Sequence, residues 1–186
     1  MKRALTSVLL IAAAAALGFA QMQMPGGGKQ APLSPPADTS VTINGKTISI
    51  KYSAPSVRGR DVFAKNGGVI GKDPTYPVWR AGANAATSFH TDADLDIAGL
   101  AVPKGDYTLY VFLDEGKWQL IVNKQTGQWG LTYNQAQDLG RIPMNMSKPP
   151  APIETYKMTL SSAGGNSGKL QLAWADVVAS VPITVK

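Results

Sequence analysis

Arginine is used sparingly in this chain, and its placement is the first clue to chemistry. Past residue 20 there are four, Arg58, Arg60, Arg80 and Arg141, while the lysines of that stretch are scattered singly over its whole length. A guanidinium is a rigid fork of donors suited to carboxylate and phosphate, whereas a lysine ammonium is a strongly hydrated point charge. The arginines fall in or beside two stretches: 54–86, rich in glycine and proline yet holding Phe63, Tyr76 and Trp79, and 124–140, which holds Trp129 and Tyr133. Their partners are either a bound ligand or the carboxylates Asp61, Asp138 and Glu154, tying long loops to the body. Along 153–160 the even positions read Glu, Tyr, Met, Leu, so strict alternation puts Glu154 on an apolar face. There a carboxylate needs an arginine, or serves as a poised acid or base. The alternative is a strand end after Pro152 where Glu154 reaches water. The loop aromatics either stack on a sugar ring or plug the core beneath a loop.

The candidate ligand-binding set is therefore Arg58, Arg60, Trp79, Arg80, Asn84, Trp129, Tyr133, Asp138, Arg141 and Glu154. Arg80, Arg141, Asp138 and Glu154 are expected in one connected network beside Trp79 and Asn84. No catalytic residue is assigned.

Other patterns carry less chemistry. Asp92, Asp94 and Asp96 resemble the start of a calcium loop, but the required glycine is Ile97 and the closing glutamate is Pro103, so a solvated strand face is the better reading. His90 is the sole histidine and there is no cysteine, so neither a multi-histidine nor a thiolate metal site is expected, and no cofactor. The absence of cysteine also removes disulfides and a lipid anchor. Gly165-Asn166-Ser167-Gly168 reads as a hairpin loop rather than the surround of a serine nucleophile. Gly26-Gly27-Gly28-Lys29 lacks the second glycine and the Ser/Thr of a phosphate loop.

These residues must be positioned by an exported domain. Lys2 and Arg3, an uncharged apolar run to Leu17, and Gly18-Phe19-Ala20 have the order of a secretory signal over 1–20, and the apolar run is too short to span a bilayer. A periplasmic or extracellular location follows, with no membrane span after cleavage. Residues 21–38, with three glycines and four prolines, read as a flexible linker, leaving 39–186 as a single domain. The lysines form no basic run, so nucleic acid is not an expected partner.

From Ser40 onward the apolar period is two. Asn44-Gly45 between alternating runs signals a hairpin that sets Val41 opposite Ile48. Tyr107 to Leu113 is apolar on both faces, as befits an interior strand. Thr87 to Ile97, Trp118 to Val122, Arg141 to Met144, Ile153 to Leu160, Lys169 to Trp174 and Val177 to Val185 complete the set. Many short strands between Gly, Pro and Asp turns predict an all-β fold, an antiparallel β-sandwich or a partly open barrel with long irregular loops. At most one short helix is expected, within Leu131 to Leu139.

The stretches Pro55-Ser56-Val57-Arg58-Gly59-Arg60, Gly105-Asp106-Tyr107-Thr108-Leu109, Trp118 to Asn123, Trp129-Gly130 and Leu172-Ala173-Trp174 resemble a bacterial family of exported proteins, the domain of unknown function 2911. The most specific element is Trp79-Arg80-Ala81-Gly82-Ala83-Asn84-Ala85-Ala86-Thr87, and the resemblance spans about residues 50–185. It implies an exported β domain and no established reaction. Three functions are then open: a binding or interaction module for a small molecule, glycan or peptide; a hydrolase using Glu154 and Asp138 as a carboxylate pair on a glycan or similar polymer; or a structural envelope domain.

Overall fold

The computed structural model describes residues 32–186; the predicted signal sequence over 1–20 and residues 21–31 of the predicted linker lie outside the described residues. Two antiparallel sheets face each other and do not close into a barrel, so the sandwich alternative holds. The first contains β1 (Pro36–Ile43), β2 (Lys46–Ser53), β3 (Val78–Trp79), β4 (Thr87–Thr91), β7 (Gly105–Phe112), β8 (Gln119–Asn123) and β9 (Asp138–Pro143). Its order is β1-β2-β4-β7-β8-β9, with β3 pairing β7 alongside β4. The second contains β5 (Leu95–Ile97), β6 (Leu100–Val102), β10 (Asn145–Ser147), β11 (Ile153–Gly164), β12 (Ser167–Ala175) and β13 (Val177–Val185). Its order is β11-β12-β13-β5-β6, with β10 also on β13.

The Asn44-Gly45 turn behaves as its sequence predicts. Both residues have positive φ, 50° and 71°, and Val41 pairs with Ile48. Such a left-handed pair matches the twist of the flanking strands. β7 is interior, between β4 and β8, with Tyr107, Leu109 and Val111 on the core face and Thr108 and Tyr110 buried on the other. The expected short helix is a single 3-10 turn, Gln135–Gln137, opened by the Asn134 side chain accepting from the Ala136 N–H. No helix among the described residues is long and apolar enough to cross a membrane.

Two boundaries differ from the expected ones. β1 begins at Pro36, where the chain already pairs with Ser53, so residues 36–38 belong to the sheet and not to a linker. β1 is an edge strand, and an edge tolerates a proline that has no N–H to donate. The run from Thr87 to Ile97 is two strands in different sheets, β4 and β5, separated by a bend at Asp92 and Ala93.

One end of the core is aromatic. Trp79 stacks on Trp174 with ring centroids 5.8 Å apart, and Phe63 meets Trp118 and Trp174 edge-on at 4.8 and 5.8 Å. The segment between β2 and β3 supplies Phe63, Val62 and Ile70 to this end, which explains why so irregular a stretch carries large apolar residues.

Candidate functional site

The candidate residues gather in two places. The first is the outer face of the first sheet, away from the second sheet. There Thr108, Tyr110 and Phe112 of β7, Ile121 and Asn123 of β8 and Arg141 of β9 project, and Val78, Tyr110 and Ile121 form a small second core. The segment between β8 and β9 folds over it. The buried Tyr110 donates to the Thr132 carbonyl at 3.1 Å and accepts from Gln128 Nε2 at 3.0 Å, and its ring meets Tyr133 edge-on at 5.0 Å. Asp138 accepts from the Tyr133 hydroxyl at 2.6 Å, from Asn123 Nδ2 at 2.9 Å and from Arg141 Nε at 3.2 Å. Arg141 Nη2 donates to the Tyr133 oxygen at 2.8 Å while its guanidinium lies 5.3 Å from the Phe112 ring centre. Burial, and then the hydrogen bond it donates to Asp138, push the Tyr133 phenol up to about 12. This is a closed set: each charge has a partner in the chain.

Arg80 adjoins it but is tied elsewhere. Its Nη2 donates to Asp73 at 2.8 Å, with both side chains largely buried. Its stem passes beneath Gly130, where an added Cβ would collide with Arg80 Cδ and sit 2.6 Å from the Asn84 carbonyl. Glycine at 130 is therefore a requirement of close approach. The surrounding Trp-Arg-Ala-Gly-Ala-Asn-Ala-Ala-Thr stretch is a knot of internal bonds. Trp79 Nε1 donates to the Gly82 carbonyl at 3.0 Å and Thr87 Oγ1 to the Ala81 carbonyl at 2.9 Å. Ala81 and Asn84 hold left-handed φ of 51° and 61°. Ala86 N–H donates to the Gln128 carbonyl at 3.2 Å and Gly130 N–H to that of Asn84 at 3.1 Å. The two irregular segments thus meet as a short ladder.

That ladder presents the indole of Trp129, which is 56% exposed, to solvent. Trp79 is the opposite case: at 1% exposed, among Phe63, Tyr156 and Trp174, it is a core residue and cannot stack on a ligand. Asn84 lies exposed beside this ladder, its amide making one long bond of 3.5 Å to Ser53 Oγ.

Glu154, Arg58 and Arg60 form the second group. Glu154 is exposed rather than inward-facing, which corrects the alternation argument. The pairing of β11 with β12 slips between Ile153 and Lys157, so the period of two that holds for Tyr156, Met158 and Leu160 does not extend back to 154. Instead residues 154–156 pair with 55–57: the Glu154 carbonyl accepts from Val57 N–H at 2.8 Å and its carboxylate from Arg58 N–H at 2.9 Å. Arg58 and Arg60 donate to the carbonyls of Leu33, Ser56 and Val57, and neither reaches a carboxylate within the described residues.

The expected single network therefore separates. Arg141 and Asp138 pair, Arg80 takes Asp73, and Glu154 belongs to neither set. Asp138 and Glu154 stand on different sheets and share no partner. Asp73, Tyr110, Asn123 and Gln128 were absent from the sequence-derived set. Asp73 was within reach of it, since it shares an irregular stretch with Arg80. Tyr110 and Asn123 looked like ordinary strand residues, and only the segment folded over them gives them partners.

His90 lies partly exposed on β4 and is bracketed by Asp106 Oδ1 at 2.8 Å from Nδ1 and Asp92 Oδ1 at 3.0 Å from Nε2. Those two bonds, Asp106 foremost, raise its pKa above 6.5. Asp92, Asp94 and Asp96 accept from the N–H groups of Thr47, Lys104 and Gly99, and no cluster of three His, Cys, Asp or Glu among the described residues is placed to hold a metal. Ser167 lies in the β11–β12 hairpin.

A family model described as "Protein of unknown function (DUF2911)" matches residues 34–183. The chain belongs to the DUF2911 family. The match runs from just before β1 into β13, so it takes in both sheets of the DUF2911 sandwich and both groups of polar residues. Neither a curated protein nor a solved structure matches the chain.

Proposed function

We propose that this DUF2911 protein is an exported binding module, and that a glycan or similar polyhydroxylated ligand stacks on Trp129. The observation that carries the reading is the contrast between the ring and its backbone. Trp129 as a residue is 56% exposed, while the peptide around it is fixed by the bonds from Ala86 to Gln128, from Gly130 to Asn84 and from Thr132 to Trp129. A large ring presented on a rigid ladder offers contact area at little entropic cost, the property that suits an aromatic to stacking. Asn84 stands beside it with most of its hydrogen-bonding capacity unused. The neighbouring arginines are neutralised by Asp73 and Asp138, so this face favours a neutral, hydroxyl-rich ligand over an anion. Arg80 and Arg141 then support the platform and do not touch the ligand.

Titrating the purified chain with soluble oligosaccharides while following tryptophan fluorescence tests this directly, because Trp79, Trp118 and Trp174 are buried. Binding followed by isothermal titration, which does not need the indole as reporter, is expected to disappear in Trp129→Ala with no change in Tm. Glycan binding that survives Trp129→Ala unaltered, or a broad glycan panel that leaves the fluorescence untouched, defeats the proposal.

A further inference from the structure

The second polar group lines a cleft of about 410 Å³ beside the aromatic end of the core. Its apolar wall includes Val57, Phe63 and Ile153; Arg60 also lines it, with three acidic residues, Asp61, Glu154 and Asp176. Opposite charges in one cleft ordinarily collapse into a salt bridge. Here they do not. The Arg60 guanidinium is pinned by Nε to the Val57 carbonyl at 3.0 Å and by Nη2 to the Ser56 carbonyl at 2.7 Å. Glu154 is pinned by the Arg58 N–H at 2.9 Å. The backbone of 56–58 thus holds the cation and the anion apart, each with bonding capacity to spare. A fixed guanidinium recognises a carboxylate, the held Glu154 carboxylate with Asp176 nearby recognises an ammonium, and the wall between accepts an apolar body.

We infer that this cleft binds a dipolar ligand, an apolar α-amino acid or a short apolar peptide, with its carboxylate on Arg60 and its ammonium on Glu154 and Asp176. The volume lies within the range of about 300–1,000 Å³ typical of small-molecule sites. The site is separate from the Trp129 platform and does not depend on it.

Isothermal titration of the purified chain with L-leucine and with Leu-Leu is the test. Saturable binding of either supports the inference, and which of the two binds more tightly reports the charge spacing the cleft prefers. Arg60→Gln and Glu154→Gln should each weaken binding at least tenfold. Amidating the ligand carboxylate should cause no further loss in Arg60→Gln, and acetylating its amine none in Glu154→Gln. Trp129→Ala should bind as the parent does. Because the blocked ligands test the same contacts on the unaltered protein, a variant that folds poorly does not decide the outcome. If neither zwitterion binds, or if the amidated or acetylated ligand binds the parent as tightly as the free one, the inference is wrong.

Discussion

His90 has a carboxylate acceptor at each ring nitrogen, Asp106 at Nδ1 and Asp92 at Nε2, and only the imidazolium can donate to both, so the arrangement favours the charged form. Its folded pKa is raised above 6.5, so the stabilisation it supplies is complete below 6.5 and fades as pH rises through the raised value. As the sole histidine, it should give one imidazole resonance whose NMR titration midpoint lies above 6.5, and His90→Gln should remove the associated slope of Tm against pH. The Asp138 set is more consequential. Its side chain is 11% exposed and serves three donors, so Asp138→Ala removes the carboxylate from Arg141 Nε, the Tyr133 hydroxyl and one N–H of Asn123, while Asn123 keeps the Asn134 carbonyl and Arg141 keeps the Tyr133 oxygen. Loss of a partner from a fully buried pair costs about 3–5 kcal/mol. Arg141 keeps 27% of its side chain in water, so urea unfolding should show a smaller loss, about 2–3 kcal/mol. Arginine usage alone pointed to fixed partners near the irregular segments, because arginine is chosen where geometry matters. Which carboxylate each arginine takes depends on how the segments fold over β7 and β8, and no local pattern carries that.

Two glycines separate the effects that shape the elements. At Gly45 φ is 71° and nothing lies near an added Cβ, so Gly45→Ala should cost only the left-handed strain, about 1 kcal/mol. At Gly130 the obstacle is the Arg80 stem and the Asn84 carbonyl, so Gly130→Ala must spread the ladder under Trp129 and should cost at least about 2 kcal/mol. Thermal unfolding of the two variants side by side checks the order. The hairpin at Gly45 could be read from sequence down to its register, because two adjacent residues fix the turn and alternation fixes the rest. The slip in β11 could not. Alternation from Tyr156 to Leu160 is regular, and the irregularity comes from residues 55–57 pairing with 154–156, almost a hundred positions away. The same long-range pairing carries Glu154 out of the Arg80 and Arg141 sets and into the cleft with Arg60.

At the scale of the whole chain, the N-terminal signal features and the proposed extracytoplasmic role together predict a mature protein that begins at Gln21. Intact mass of the protein recovered from the cell envelope or medium should show that start; recovery of the full chain in the cytoplasm would count against it. Sandwich architecture was legible because alternation and turn residues recur along the whole length, whereas the membership of each sheet was not, since β4 and β5 are neighbours in sequence and part at a bend. The position of β13 has its own consequence. It follows every other described strand, yet it is the centre of the second sheet, bonded to β12 on one side and to β5 and β10 on the other. On a ribosome making the chain from its N-terminus, β5 and β10 emerge with no strand between them and β12, and the edges that will pair with β13 wait for it. The second sheet therefore cannot close until Val177–Val185 has emerged, and until then its earlier strands can still be drawn apart.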